Sequence, residues 1–252
     1  MNRRFRGPAE FYLVAGAVFA ASLAVTILFC RSMPGGMEMP GGWTMSMMWM
    51  RMPGQSWLDS AAVFLMMWLA MMVAMMLPSA LPMLQKVRSS QNAGTAALVA
   101  CAYFAVWTAI GAAVYVAGAS WGAALMRWPA LSRAVPLLTG ATLTLAGAIQ
   151  FSRWSRAGLE HCRDPHGCGA AEMGRGQRAA WLYGIRQGMY CGTCCTGPMM
   201  ALVAIGTMNL YGMIVVAAVI AAEKLLPEPQ RVMRLTGVLA IIAGLLIMIR
   251  IL

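Results

Sequence analysis

The hydrophobic and polar positions of this chain fall in long blocks, with apolar runs separated by polar connections. A helix that crosses the hydrocarbon layer of a bilayer needs ~20 residues with few charges, so each run predicts a membrane-spanning helix. A β-barrel is not expected, because its strands would show alternating apolar and polar positions. Seven runs meet this description, at residues 11–30, 58–77, 95–119, 134–151, 181–206, 210–226 and 232–249.

The composition agrees with this pattern. Of the 252 residues, 60% are hydrophobic and 11% are charged, whereas soluble domains carry about 25% charged residues. The first run, of ~19 apolar residues, exceeds the h-region of a signal peptide, which has about 7–15, so we expect a retained helix. Short connections imply antiparallel neighbours in one bundle. The sequence therefore predicts an all-α polytopic membrane bundle of about seven helices, forming a single domain over residues 1–252.

The positive charges indicate orientation. The net charge is +11, and most basic residues fall on one side if the N-terminus is cytoplasmic. That asymmetry is typical of membrane proteins and favours contact with anionic lipid in the bilayer over nucleic-acid binding. The residues on the expected cytoplasmic side are Arg3, Arg4, Arg6, Lys86, Arg88, Arg153, Arg156, Arg163, Arg175, Arg178, Arg186, Lys224, Arg231 and Arg234; Arg31, Arg51, Arg127, Arg133 and Arg250 fall outside.

Three segments depart from smooth helical patterns. An external methionine-rich loop, residues 31–57, repeats Met-Pro-Gly, and this density of proline and glycine predicts no regular structure in its first half. A cytoplasmic loop, residues 152–180, holds both histidines. In the fifth run, residues 188–198 read GMYCGTCCTGP, which predicts a broken or kinked helix. Such backbone is tolerated at membrane depth only where protein or a cavity covers it.

Methionine is the first candidate ligand, with 25 residues in the chain. Met67, Met71 and Met75 follow a spacing of four and lie on one helical stripe. Thioethers are soft ligands that select Cu(I) over hard ions. The alternative is that methionine fills irregular apolar contacts in a bundle. That alternative is weaker for the external loop, where nothing apolar is expected to need filling.

Cysteine and histidine supply two further clusters. His161, Cys162, His166 and Cys168 share the cytoplasmic loop, and these residue types bind Zn(II), or Cu(I) through the thiols. The alternative is a solvated loop with reduced, inactive cysteines.

The second cluster is Cys191, Cys194 and Cys195. Residues three apart on a helix face one way, so they predict an ion site or a redox pair; the alternative is small-residue packing between helices. The predicted topology places them near the cytoplasmic end of their helix, where the first cluster approaches. We therefore expect the two clusters to converge.

Few charges fall within the apolar runs. Arg186, Glu223 and Lys224 are the exceptions, and intramembrane ionisable residues are often functional. Their expected position is the cytoplasmic interface, where Arg186 and Lys224 would extend toward water.

These motifs together resemble a known family. They are MMWLAMMVAMMLPSALPM, then Cys-Arg-Asp-Pro at 162–165, then GIRQGMYCGTCC, GTMNLYGM and the Glu223–Lys224 pair. The chain resembles bacterial inner-membrane proteins known as predicted metal-binding integral membrane proteins of unknown function. That family usually has histidine at the position of Gln187 and tryptophan at that of Thr196. The resemblance implies location in the bacterial inner membrane and a metal-binding role.

The leading functional hypothesis is Cu(I) binding or transfer, with copper as the expected metal and zinc as the alternative. External methionines would capture the ion, the methionine stripe would offer passage or storage, and the cysteines would receive it. A second hypothesis is a non-catalytic assembly or accessory subunit of a membrane complex, and either function would bring membrane or copper-handling partner proteins. A membrane thiol oxidoreductase is the third. Paired carboxylates, a nucleophile triad and a phosphate loop are missing from the sequence, so we expect no hydrolase or nucleotide-driven pump.

Overall fold

The computed structural model describes residues 8–32, 36–49, 54–163, 174, 176–207 and 209–251. This part of the chain forms eight α-helices and one two-stranded hairpin, so the predicted helical class is confirmed. In chain order the elements are α1 (Pro8–Ser32), β1 (Gly36–Met39), β2 (Trp43–Ser46), a 3-10 turn (Met47–Trp49), α2 (Trp57–Ser90), α3 (Ala93–Arg127), α4 (Pro129–Gln150), α5 (Arg153–Arg163), α6 (Gln177–Ile205), α7 (Leu210–Leu225) and α8 (Pro229–Ile251).

Not every predicted span is long and apolar enough to cross a membrane. Among the described residues, five helices qualify alone: α1, α2, α3, α6 and α8. Helix α4 qualifies only together with α5, from which it is bent by 60°. Helix α7 has 16 residues, fewer than the ~20 that a span needs. The helices therefore allow five or six crossings, and the expected count of seven is not confirmed.

Helix α2 extends well past position 77, where its apolar run ends. It begins at a capping box, in which Asp59 N donates to Ser56 Oγ at 3.1 Å and Ser56 N donates to the Asp59 carboxylate at 3.0 Å. It then continues through Pro78 and Pro82 to Ser90. Membrane helices tolerate proline because neighbouring groups satisfy the freed backbone.

Residues 36–46 of the methionine-rich loop have regular structure, which corrects the expectation for that part of the segment. Strands β1 and β2 pair antiparallel, with Met39 opposite Trp43. Gly41 and Gly42, at φ values of 114° and 73°, allow the chain to turn there because glycine lacks the Cβ that restricts positive φ. Trp43 Nε1 donates to Ser132 O at 2.9 Å, which fixes the hairpin to the start of α4. Gly41 and Gly42, two of the residues that suggested irregular backbone, form the turn.

Helix α6 is continuous from Gln177 to Ile205, including Pro198, so of the two expectations for this segment, a break or a kink, the break is wrong. Its glycines serve close packing instead. A Cβ at Gly184 would lie 2.5 Å from Val99 O, and one at Gly188 would lie 3.0 Å from Tyr103 O. Small residues let membrane helices approach closely, and here they bring α6 against the backbone of α3.

Helices α4 and α8 form an equally close antiparallel pair. A Cβ at Gly140 would lie 2.8 Å from Gly244 O, and one at Gly147 would lie 2.5 Å from Gly237 O. The two glycines of each helix are seven residues apart, so they lie on one helical face. This contact joins α4, from the middle of the sequence, to α8, the last of the described helices.

Candidate metal centre

Three cysteines of α6 share one buried face of the helix. The Sγ atoms of Cys191, Cys194 and Cys195 all lie within 4.8 Å of one another. Cys191 Sγ is 3.8 Å from Cys195 Sγ, and Cys194 Sγ is 3.5 Å from Cys195 Sγ. At most 2% of each residue is exposed. The predicted convergence of Cys191 and Cys194 on one helical face is therefore present.

A fourth sulfur comes from α5. Cys162 Sγ lies 3.6 Å from Cys194 Sγ, and Cys162 is half-buried. The approach depends on Gly158, one turn earlier in α5, because a Cβ there would lie 3.1 Å from Cys194 N and clash with the Thr193 hydroxyl. Contact between backbones is thus what brings the loop cysteine to the helix cysteines. We call Cys162, Cys191, Cys194 and Cys195 the sulfur cluster.

Three other helices surround Cys191. From α3, Tyr103 OH donates to Cys191 Sγ at 2.8 Å. From α7, Lys224 Nζ donates to the same sulfur at 2.9 Å and lies 3.5 Å from Ser79 Oγ. From α2, Met76 Sδ is 3.9 Å away. Cys191 is therefore the centre of the site, with two polar donors and one thioether around its sulfur.

The spacing of the sulfurs suits a single ion. Two sulfurs that are each about 2.3 Å from one metal, at a tetrahedral angle, lie about 3.8 Å apart. The sulfur–sulfur separations of the pairs Cys194–Cys195, Cys162–Cys194 and Cys191–Cys195 run from 3.5 to 3.8 Å. Thiol and thioether sulfurs are soft ligands, which favour Cu(I) and also, for the thiolates, Zn(II). The residues present can therefore hold a soft ion with little rearrangement.

The end of α7 is fixed beside the cluster by buried polar contacts. Arg163 Nη1 donates to the backbone oxygen of Glu223 at 2.9 Å, which joins the end of α5 to that of α7. The Glu223 carboxylate, in a residue that is 2% exposed, accepts from Thr236 of α8 at 3.2 Å. These bonds position the neighbouring Lys224.

The remaining predicted ligands are placed differently. His161 is exposed, its Nδ1 lies 2.7 Å from Ala157 O, and its ring stacks on Tyr190; it does not join the sulfur cluster. His166 and Cys168 lie outside the described residues. Met67, Met71 and Met75 are buried in the bundle core, and the methionine at the cluster is Met76.

Three methionines of the methionine-rich loop do fill apolar contacts, contrary to expectation. Met39 and Met45 pack with Leu125 beneath the hairpin, and Met48 joins the main core. These three side chains are buried. Within the described residues, the loop therefore uses methionine partly as a packing residue, as is common in irregular cores.

Two expectations about position were wrong. Lys224 does not extend toward water; its ammonium points at Cys191, and Glu223 is buried. Cys191 lies at the midpoint of α6, being residue 15 of the 29 from Gln177 to Ile205, and not near the helix end. The inward direction of Lys224 follows from the cluster, which gives the charge a partner.

Sequence reasoning missed Tyr103 and did not single out Met76. Tyr103 lies in an ordinary apolar helix, and no local pattern marks it. The sequence did offer a signal for the part that α7 plays in the site, namely the adjacent charges of Glu223 and Lys224 at its end. Ionisable residues in apolar segments usually have a partner within the protein.

A helical bundle with cysteine sulfurs and a thioether gathered in its interior has the ligands to hold a soft metal ion, and comparison with known families narrows the class of protein. The chain belongs to the PpoB2 copper chaperone family, whose sequence profile matches residues 65–247. The matched range includes the sulfur cluster, Met76, Tyr103 and Lys224. No curated protein and no solved structure is significantly similar to the chain. The family and the cysteine cluster together support copper handling.

Proposed function

We propose that this chain is an integral membrane copper chaperone that binds Cu(I) at the sulfur cluster. The observation that carries the proposal is the convergence of Cys162 from α5 with three buried cysteines of α6. Copper is the cargo of this site. Two or three of the thiolates would hold the ion, and the Met76 thioether would complete its coordination.

Charge favours Cu(I) over Zn(II) as the cargo. One Cu(I) ion with two thiolates carries one net negative charge, which the ammonium of Lys224, 2.9 Å from Cys191 Sγ, would balance. A structural zinc site uses four ligands, and four thiolates on Zn(II) would leave two negative charges against one lysine. Uncompensated charge is costly in a buried site. The thioether of Met76 also suits Cu(I) better than zinc.

The same proposal places the protein in a bacterial inner membrane, with its N-terminus in the cytoplasm. Support comes from the apolar helices and from the distribution of lysine and arginine. Helix α7 would be a seventh, short crossing. In this orientation Cys162 and α5 face the cytoplasm.

The methionine stripe would offer the ion a passage. Met67, Met71 and Met75 are buried along α2, and Met76, in contact with Cys191, follows directly in sequence. Thiolates bind a soft ion more tightly than thioethers do. An ion that entered along the stripe would therefore be drawn toward the cluster.

The test is anaerobic Cu(I) binding by the full chain in detergent or nanodiscs, with the affinity measured by competition with a chromogenic Cu(I) chelator. We expect one tightly bound ion per chain. Replacing two central ligands, as in the double variant Cys191→Ser and Cys194→Ser, should abolish retention, because a neutral hydroxyl cannot replace a thiolate for a soft ion.

The matched control is Cys101→Ser, since Cys101 is an exposed cysteine of α3 outside the cluster; its variant should bind copper normally. Binding of zinc alone would assign the site to a different metal. If the wild-type chain binds no metal and the double variant merely fails to assemble with other membrane proteins, the accessory-subunit function replaces this one.

A further inference from the structure

A cavity opens beside the sulfur cluster, between α5 and the start of α8. Its volume is about 370 Å³, within the range of pockets that hold small molecules, about 300–1,000 Å³. Its lining residues are Arg156, Leu159, Glu160, Arg163, Pro229, Gln230 and Met233. The four from α5 recur at intervals of three or four residues, so one face of that helix forms a wall of the cavity.

The charged groups of the cavity are two arginines and one glutamate. Arg156 Nη2 donates to Phe151 O at 2.6 Å, and Arg163 Nη1 donates to Glu223 O at 2.9 Å. Each guanidinium has five N–H donors, and among the described residues each engages a backbone oxygen through one of them, so each is anchored and has further donors that a ligand can engage. A guanidinium can bind a carboxylate through two parallel N–H···O bonds, and the Glu160 carboxylate can bind an ammonium group. The pattern fits a molecule with two carboxylates and one ammonium.

The α5 wall of the cavity leads to the sulfur cluster. Arg163 lines the cavity and directly follows Cys162. Leu159, also in the lining, follows Gly158, where a Cβ would lie 3.1 Å from Cys194 N. Cys162 is the half-buried member of the cluster and the second-last residue of α5. The last turns of helices fray readily. Local opening there would let Cys162 reach the cavity without disturbing α6.

We propose that this cavity binds a small thiol with two carboxylates and one ammonium, in the form of its Cu(I) thiolate complex, and that copper exchanges between this carrier and Cys162. The inference rests on the proposed function of the cluster. In the transfer, the Cu–S bond to the carrier breaks as the Cu–S bond to Cys162 forms. Copper remains Cu(I), no electron is transferred, and the released carrier thiolate takes the proton that the Cys162 thiol loses.

The test compares two sources of Cu(I) for the full chain in nanodiscs. One is the complex with glutathione, a thiol that has the required two carboxylates and one ammonium; the other is the acetonitrile complex, which carries no anionic group. The variant Arg156→Gln, which leaves the Arg163 bond to Glu223 in place, should slow transfer from the glutathione complex at least tenfold. Transfer from the acetonitrile complex should be unchanged, which also shows that the variant is folded.

Two controls sharpen the comparison. Arg153→Gln removes an equal charge from α5 outside the cavity lining and should leave both rates unchanged. Glu160→Gln should slow transfer from the glutathione complex but not from the complex with mercaptosuccinate, a thiol dicarboxylate without an ammonium group. Equal slowing by Arg153→Gln and Arg156→Gln, or the same slowing with both copper sources, overturns the inference. A wild-type chain that takes copper from neither source refutes the proposed function instead.

Discussion

The approach of α5 to α6 at Gly158 is the contact most open to a quantitative test. In Gly158→Ala the new methyl would lie 3.1 Å from Cys194 N, whereas non-bonded atoms prefer about 3.5–4.0 Å. Helix α5 must therefore retreat by about 0.4–0.9 Å, given that preferred separation. The clash with the Thr193 hydroxyl adds to this, because that hydroxyl donates to Tyr190 O at 2.7 Å and is not free to rotate.

The retreat lengthens the distance between the Cys162 and Cys194 sulfurs, which is 3.6 Å in the native chain. A shift of this size gives about 4.0–4.5 Å before the Thr193 clash is counted, against a limit of about 4.6 Å for two sulfurs bound to one ion at about 2.3 Å each. In Gly158→Val, the added methyl groups reach about 1.5 Å further and exceed the limit. We expect the alanine variant to hold Cys162 only weakly, at the limit of coordination, and the valine variant to lose it.

X-ray absorption of the copper-loaded protein would count the sulfur ligands, and chelator competition would give the Cu(I) affinity. Gly158→Val should match Cys162→Ser in both measurements and should unfold more easily by about 1–3 kcal/mol, the usual cost of overpacking. Gly192→Ala is the control, because its Cβ would meet only Ile110 at an ordinary 3.5 Å. The reasoning is refuted if Gly158→Val keeps the native sulfur count and affinity.

Two further predictions concern charge and orientation. Lys224→Met should weaken Cu(I) binding at least tenfold and Lys224→Arg much less, because unit charges 4 Å apart at an effective dielectric constant of 20 interact by about 4 kcal/mol; equal affinities in a chelator competition would exclude a charge role. A reporter fused after Gly174 should be cytoplasmic and one after Gly42 external; the reverse result from an activity assay of the two fusions would invert the proposed topology.

Much of the helical architecture follows from the sequence because apolar runs of membrane length leave the backbone few alternatives. The predicted ends of the helices were less accurate. The run ending at position 77 became a helix to Ser90, since hydropathy records where apolar residues stop and not where hydrogen bonding stops. The segment 188–198 looked broken because glycine and proline weaken isolated helices, but here Gly188 packs closely against α3 and Gly197 against α4.

The cysteines of the site were predictable because Cys191, Cys194 and Cys195 are spaced to share one helical face. The contribution of Cys162 required the expectation that its loop approaches α6. Tyr103 and Met76 depend on how α3 and α2 rotate about their axes, which the spacing of apolar residues does not fix when a helix is apolar on most sides. The direction of Lys224 depends in turn on the sulfur that it meets.

The glycine pairing of α4 with α8 bears on how the chain matures during synthesis. Helix α4 does not qualify as a span alone, and its close partner, α8, is made much later. Synthesis runs from the N-terminus, so about ninety residues, from 147 to 237, separate the glycines of α4 from those of α8. The sulfur cluster is made in this interval, before Met233 of α8 can complete the core that it shares with the cysteines. Loss of α8 would therefore leave α4 without its packing partner and the core around the cluster incomplete.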